Sequence, residues 1–358
     1  MNILILPGDG VGKEVTDQSV KIIEEISSIY SIDIDISFAE FGGTAYDSSG
    51  DPYPKSTKEA VNKCDAILLG AVGGHKYENL EKSKTPEYAL LSLRKENDLY
   101  INLRPIISFD EILDSSTLKR DYINDLNLII VRELVEGLYF GEPRGFNNDK
   151  TEAFNTMRYS KERIKKILKF AYNLSEVRAK KLCSVDKANV LECSKLWREI
   201  ANNYAKDFPS IKSENMYVDN AAMQLVLNPK QFDVIVTENL FGDILSDLAS
   251  VLTGSIGMLP SASINDSGFG LYEPIHGSAP DIAGKDIVNP IATILSAAMM
   301  FHYSFKREDI YNLIVECIRD TLKDGYRTRD IMSNGMTEVS TSEMGNMVLE
   351  KIKDKNLG

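Results

Sequence analysis

The sequence predicts an α/β fold on a largely parallel sheet, and three observations carry that prediction. Short apolar runs bounded by Gly, Asp or Asn recur along the chain: Ile3 to Leu6, Ala66 to Leu69, Leu128 to Val131 and Val234 to Thr237. Each has the length of a buried strand. Amphipathic stretches of about 10 to 20 residues lie between them, and strands alternating with helices build a mostly parallel sheet. No internal repeat, low-complexity tract or Pro/Gly-rich linker breaks the alternation. At about 150 residues per domain, 358 residues imply two domains or three. With no linker, those domains must share a tight boundary or interrupt one another in sequence.

Composition narrows the function classes. Hydrophobic residues make up 43% and charged residues 26%, which excludes a disordered or collagenous chain. Lys and Arg number 41 against 53 Asp and Glu, a formal charge of −12 that disfavours nucleic acid or an anionic membrane as main partner. A few arginines in a cleft can still receive an anion. The start, MNILILPGDG, has no basic n-region and reads as a strand, not a signal peptide. The longest later apolar stretch, Ile291 to Phe301, is interrupted by Thr293 and Ser296, far short of the roughly 20 residues that span a bilayer. Cys64, Cys183, Cys193 and Cys317 show no CxxC or zinc spacing, so reduced thiols in a cytoplasmic protein are expected.

Taken in order, the elements carry these candidates. Gly8, Gly10 and Gly12 in LPGDGVG give GxGxG, not the GxGxxG of a Rossmann turn, and Lys13 lacks the Ser or Thr of a Walker loop. A tight strand-to-helix turn is the default there. Thr85-Pro86 starts a helix, which places Glu87, Leu90, Leu91 and Arg94 on one face at i, i+3, i+4 and i+7. Two leucines between a Glu and an Arg suit a ligand that is part branched alkyl and part carboxylate. Arg104 and Arg132 add two cations at or near strand ends. Each arginine alone reads as a surface ion pair, and a carboxylate site requires the three to converge. Gly137 to Glu142 and Glu152 to Met157, around a polar turn at Asn147 to Asp149, look like a hairpin arm that needs a partner strand, most simply from a second copy. Ser160 to Lys181 carries eight basic and two acidic residues, a solvated helix face in preference to a nucleic-acid surface, since like-charged solvated faces are common.

The strongest local signal is TENLFGDILSDLAS. A short Asn-Gly loop should follow the strand Val234 to Thr237, and the next helix should carry Asp243 and Asp247 at i and i+4 near its start. Carboxylates about 6 Å apart repel one another, and a divalent cation, Mg²⁺ or Mn²⁺, relieves that. Helix-dipole complementation is the competing account, better for Asp243 than for Asp247. Asp219 is a possible third carboxylate. Lys187, between a strand and a helix, is a candidate base or a solvated loop lysine. In YEPIHGSAPDIAGKDIVNP, small residues beside His276 permit close approach of a pyrophosphate, and Asp281 would hydrogen-bond a ribose diol while repelling a 2′-phosphate, favouring NAD over NADP.

Together, LPGDGVGKEV, LLSLRKENDLYINLRP, VRELVEGLYFGEPRGF, SVDKANVLECSKLWRE, ENLFGDILSDLASVLTGSIGMLPSAS, YEPIHGSAPDIAGK and VSTSEMG closely resemble the isopropylmalate branch of the isocitrate/isopropylmalate β-decarboxylating dehydrogenase family, over nearly the whole chain. The resemblance implies a mixed, mostly parallel sheet that is not a Rossmann fold. It implies a discontinuous large, cofactor-binding domain, 1–100 and 254–358, around a smaller dimerisation and metal/substrate domain, 101–253, whose arm is at about 135–157. Arg94, Arg104 and Arg132 match the arginines that hold malate carboxylates, Tyr139 the late acid, and Asp243 and Asp247 the metal aspartates. Lys187 and Asp219 match a base and a metal ligand that reach over from the partner of a homodimer. His276, Gly277, Ser278, Ala279, Asp281, Val288, Asn289 and Asp330 would form the NAD site. Glu87, Leu90 and Leu91 would line the pocket, the leucines touching an isopropyl group. The implied reaction is oxidation of 3-isopropylmalate by NAD, decarboxylation and protonation to 2-oxoisocaproate in leucine biosynthesis.

Other readings share parts of this pattern. Homoisocitrate or D-malate/tartrate dehydrogenases use the same chemistry with a different side-chain pocket, and Glu87 with Leu90 and Leu91 speaks against a second polar arm. A metal-dependent hydrolase or phosphotransferase would use the paired aspartates, but no nucleophile or phosphate lysine accompanies them. A catalytically silent binding protein should lack part of the Lys/Tyr/Asp set.

Overall fold

The computed structural model describes residues 1–356. The chain forms two compact units: residues 1–99, 109–117 and 253–358 make the first, and 100–108 with 118–252 the second.

In the first unit the strands stand in the order Asp35–Phe38, Asn2–Gly8, Ala66–Ala71, Gly270–Pro274, Pro260–Ile264. All neighbours are parallel except the last pair. Ile3 to Leu6 and Ala66 to Leu69 have no exposed surface. Such uninterrupted runs are what a parallel strand covered on both faces requires. One cover is the helix Gly12–Tyr30, which turns Val15, Ser19, Ile22, Ile23 and Ile26 inward at helical spacing and ends at Ser31 in the left-handed region (φ 51°). The apolar stretch noted above is the helix Ile291–Tyr303, buried on every side from Ile291 to Phe301. No helix among the described residues is long and apolar enough to cross a membrane.

The second unit repeats the plan with the order Ile101–Ile107, Asn127–Glu133, Val234–Thr237, Lys181–Asp186, Lys212–Tyr217. Here the first pair is antiparallel and the rest parallel. The basic stretch is an amphipathic helix, Lys161–Glu176, capped by Ser160, whose Oγ accepts from the backbone of Arg163. Ile164, Ile167, Leu168, Ala171 and Tyr172 are its buried stripe. Arg163 lies over the Tyr100 ring at 4.7 Å, so part of the positive charge packs against the protein itself.

Two local expectations need correction. The hairpin exists, but its strands are Gly145–Phe146 and Ala153–Phe154, and Gly137–Tyr139 in GLYFGE is a 3₁₀ turn. Gly137 adopts φ 78°, and Gly141 sits where a Cβ would meet the Thr156 carbonyl oxygen at 1.9 Å. These contacts bend the segment out of a strand. The loop expected after Val234–Thr237 is also absent: Asn239 to Gly242 already belong to the helix Asn239–Ser250, preceded by Glu238.

Candidate active site

The second unit gathers its site where the carboxyl ends of two parallel strands, Asn127–Glu133 and Val234–Thr237, lie beside the first half of the antiparallel strand Ile101–Ile107. Arg104 lies on Ile101–Ile107, Arg132 on Asn127–Glu133, and Asp243 and Asp247 on the helix that leaves Val234–Thr237. Because that helix begins at Asn239, Asp243 stands more than a turn inside it, and no acidic residue occupies its first turn. Dipole complementation therefore does not explain either aspartate.

The arginines are not surface ion pairs. Arg104 and Arg132 are 7% and 1% exposed, and burying guanidinium charges demands nearly complete pairing. Arg132 donates to Asn239 Oδ1 from Nε (3.0 Å) and Nη2 (2.8 Å), and to Asp243 Oδ1 from Nη1 (2.5 Å). Arg104 donates to Asn102 Oδ1 (2.9 Å) and Ser246 Oγ (2.6 Å), and reaches Asp243 at 3.4 Å and Asp247 at 3.5 Å. Tyr139 donates to Asp243 Oδ2 at 2.7 Å, and its ring faces the Arg132 guanidinium at 5.5 Å. Burial, reinforced by Asp243, pushes the Tyr139 hydroxyl up to about 12, so it holds its proton at neutral pH. Gly242 makes room for Arg132: a Cβ there would stand 2.6 Å from Arg132 Cγ.

Arg94 belongs to the first unit, in the helix Pro86–Glu96, where it is 8% exposed and donates to Glu273 Oε1 at 2.5 Å. Its buried Nε has no partner in the structure. That helix starts as expected, with the Thr85 hydroxyl accepting from Tyr88. Glu87 is exposed, and Leu90 and Leu91 are half-buried. Lys187 follows the strand Lys181–Asp186 and donates to Asp219 Oδ2 at 2.8 Å, which holds that carboxyl below its usual range. Among the described residues no three His, Cys, Asp or Glu side chains form a metal cage. Within one chain, then, Asp219 is not brought to Asp243 and Asp247.

Those two aspartates nonetheless suit a hard divalent cation. Burial raises the Asp247 carboxyl, and the charge of Asp243 adds to the rise while Arg104 opposes it. A cation beside the pair removes the reason for that rise, and Mg²⁺ accepts two carboxylates with water and substrate oxygens completing its shell.

The cofactor candidates all belong to the first unit. His276, Gly277, Ser278, Ala279 and Asp281 follow the strand Gly270–Pro274. Val288 packs with Val11 and Val15, and Ala279 and Ile282 lie against that cluster. Asn289 donates to Asp330 Oδ2 at 3.1 Å, and Ser255 donates to the same oxygen at 2.5 Å. His276 Nε2 is buried without a partner, and burial lowers the pKa of the ring. A neutral imidazole with an orphaned nitrogen, beside Gly277 where a Cβ would meet nothing within 4 Å, fits a heterocyclic ligand with hydrogen-bonding atoms. The GxGxG turn is part of the same place: Val11 donates to the Ser278 carbonyl at 2.9 Å, and a Cβ on Gly10 would stand 2.0 Å from that oxygen.

Sequence reasoning passed over Asn239, Ser246 and Glu273, the partners that orient Arg132, Arg104 and Arg94. Asn239 lies within ENLFGD and Glu273 within YEPIHG. Their signal was a polar or charged residue at a position the fold buries, visible only once burial is known.

A buried arginine pair facing two aspartates and a protonated tyrosine, on a mixed α/β sheet, defines an enzyme for small anionic substrates. The chain belongs to the isocitrate/isopropylmalate dehydrogenase family, whose sequence profile matches residues 2–348. It is 53% identical over 350 residues to a 3-isopropylmalate dehydrogenase of Hydrogenovibrio crunogenus, covering 97% of this chain and 98% of that protein. A 3-isopropylmalate dehydrogenase of Aquifex aeolicus is 50% identical over 353 residues, covering 98% of this chain and 97% of the other. Among solved structures, isocitrate dehydrogenase from Methylococcus capsulatus superposes with a TM-score of 0.88 at 33% identity, over 98% of this chain and 99% of that one. A β-decarboxylating dehydrogenase of Thermococcus kodakarensis gives 0.80 at 33% identity, over 99% and 96%.

Proposed function

We propose that this chain converts (2R,3S)-3-isopropylmalate to 2-oxoisocaproate and CO₂ with NAD⁺ as oxidant, in leucine biosynthesis. The observation that carries the reading is the buried cluster of Arg104, Arg132, Tyr139 and Asp243. Mg²⁺ or Mn²⁺ would be held by Asp243 and Asp247, and NAD⁺ by His276, Gly277, Ser278, Ala279, Asp281, Val288, Asn289 and Asp330. When bound, the two supply a Lewis acid for the substrate oxygens and a hydride acceptor.

The chain's own residues would then do the following. Arg104 and Arg132 present planar donors to the malate carboxylates, with Arg94 as the third cation. Lys187 accepts the C2 hydroxyl proton as the C2 hydride is lost. CO₂ leaves the resulting β-keto acid, and its bonding electrons are held as an enolate near the guanidinium charges. Tyr139, protonated at neutral pH, delivers the last proton to carbon. Leu90 and Leu91 contact the isopropyl group, with Glu87 beside them.

Lys187 pairs with Asp219, and among the described residues Asp219 forms no metal cage with Asp243 and Asp247 in one chain, which supports the two acting across a homodimer. Exposed Phe146 and Phe154 on the hairpin, and exposed Met223, Leu227 and Ile244 on the adjacent helices Val218–Leu227 and Asn239–Ser250, supply apolar surface for a second copy. The segments 1–100 and 254–358 would form the cofactor domain, and 101–253 the dimerisation and metal domain with its arm near 135–157. Four unpaired cysteines suit the cytoplasm. A substrate panel tests the assignment: NADH formation from isopropylmalate should exceed that from isocitrate, homoisocitrate and D-malate. A preference for any of the other three would replace the substrate, and no NADH from any would sink the enzyme reading.

A further inference from the structure

The aspartate between the first two glycines of LPGDGVG is 5% exposed and has no assigned role. Its carboxylate accepts four hydrogen bonds from two other segments. Oδ2 receives the backbone N–H of Gly43 (2.8 Å) and of Gly73 (2.8 Å). Oδ1 receives the backbone N–H of Thr44 (2.7 Å) and its hydroxyl (3.0 Å). A carboxylate has about four lone-pair positions, so this one is filled by neutral donors. Gly42 adopts φ 78°, and a Cβ there would come within 2.7 Å of Asp9 Oδ2, so the backbone is shaped around the carboxylate.

The segments joined in this way bear on the candidate site. Asp9 directly precedes Gly10 and Val11, which pack on Ser278. Gly73 stands where a Cβ would meet Glu87 Oε1 at 2.5 Å. The backbone N–H of Asp9 donates to Ala71 at 2.7 Å, closing the link. One buried carboxylate therefore fixes the turn under the His276–Ala279 loop, the Gly73 loop beside Glu87, and the start of the helix Gly43–Ser49.

We propose that Asp9 is a positioning residue for the dinucleotide: it touches no reacting atom, but its four bonds set the height of the Gly10–Val11 turn against Ser278. This rests on the cofactor reading above. Asp9→Asn is nearly isosteric, yet its amide nitrogen cannot accept, so two bonds are lost and a donor faces donors. Thr44→Val removes the hydroxyl, whose one proton is shared between Asp9 Oδ1 and the Gly8 carbonyl (2.9 Å), leaves the three backbone bonds, and is the milder variant.

Calorimetric titration of NAD⁺ into the full-length protein, without hydroxy acid, reads the effect directly. The expected result is a Kd raised about tenfold or more by Asp9→Asn and about twofold to threefold by Thr44→Val. In turnover, the KM for NAD⁺ should rise while the KM for isopropylmalate stays within twofold. Thermal melts of each variant separate positioning from folding. If Asp9→Asn lowers the melting temperature but binds NAD⁺ as the wild type does, the inference is overturned and Asp9 is a structural brace only. Should Asp9→Asn fail to fold, Thr44→Val decides, and a wild-type Kd in that variant overturns the inference. A wild-type protein that binds no NAD⁺ overturns the cofactor reading and this inference together.

Discussion

Arg132 shows most clearly what a single residue does here. Its fork spends two donors on Asn239 and one on Asp243, so its orientation is set before any ligand arrives. Arg132→Lys keeps the charge and loses the fork. Steady-state kinetics should show kcat/KM reduced by about 10²–10³-fold, the equivalent of roughly 3–4 kcal/mol. A loss of threefold or less would show that charge alone suffices. Glu238 makes a different prediction, about stability. Burial pushes its carboxyl up to about 7, against the pull of the Ser194 hydroxyl, while an unfolded glutamate titrates near about 4.3. The folded state thus holds more protons between those values, and stability from this group declines as pH climbs from about 4.5 through 7, then levels. Glu238→Gln should bring the urea midpoints at pH 5 and pH 8 closer together than in wild type. A remainder will persist, because Glu133 is also raised to about 7. Unchanged separation would contradict the assignment. The charged residues of the cluster were legible in the sequence, since Arg and Asp announce chemistry by type, whereas Tyr139 came only through the family resemblance. Asn239, Ser246 and Asp9 were not, because uncharged polar residues and an Asp between turn glycines look alike on a surface and in a buried network.

At the scale of elements, legibility followed burial pattern. Ile3 to Leu6, Ala66 to Leu69, Leu128 to Val131 and Val234 to Thr237 all lie in strands, since four consecutive apolar residues have few other uses in a chain of this kind. The boundaries were harder. Asn239 to Gly242 looked like a loop because Asn and Gly weaken a helix, yet Asn239 is wholly buried with Arg132, and Gly242 is small because Arg132 crosses it. Tertiary packing overrides local propensity there. Gly242→Ala isolates the point. Helix propensity alone favours alanine by about 1 kcal/mol, but the added carbon would overlap the Arg132 stem. The expected outcome is folded protein, by circular dichroism, whose kcat/KM is reduced at least tenfold. Wild-type activity would show that Arg132 has freedom the packing does not suggest. GLYFGE was misread for a related reason: it flanks a polar turn as a hairpin strand would, but close contacts at Gly137 and Gly141 turn it.

For the whole molecule, the formal charge of −12 says little about the cluster, because there Arg104 and Arg132 balance Asp243 and Asp247. With no linker in the sequence, residues from both ends and from 109–117 group in one unit, and 100–108 with 118–252 in another. Under the proposed function a second copy supplies Lys187 and Asp219, which in one chain pair with each other. Mixing inactive Lys187→Ala and Asp243→Ala chains should restore up to about a quarter of wild-type activity, as half the molecules become mixed dimers with one intact site. No recovery, in chains shown to exchange, would place each site within one chain. The central claim is oxidation coupled to loss of CO₂, and simultaneous measurement of NADH and CO₂ from isopropylmalate with Mg²⁺ tests it most directly. The account predicts the two in equal amounts, with both abolished when the metal is chelated. NADH without CO₂, or turnover that ignores chelation, would contradict it.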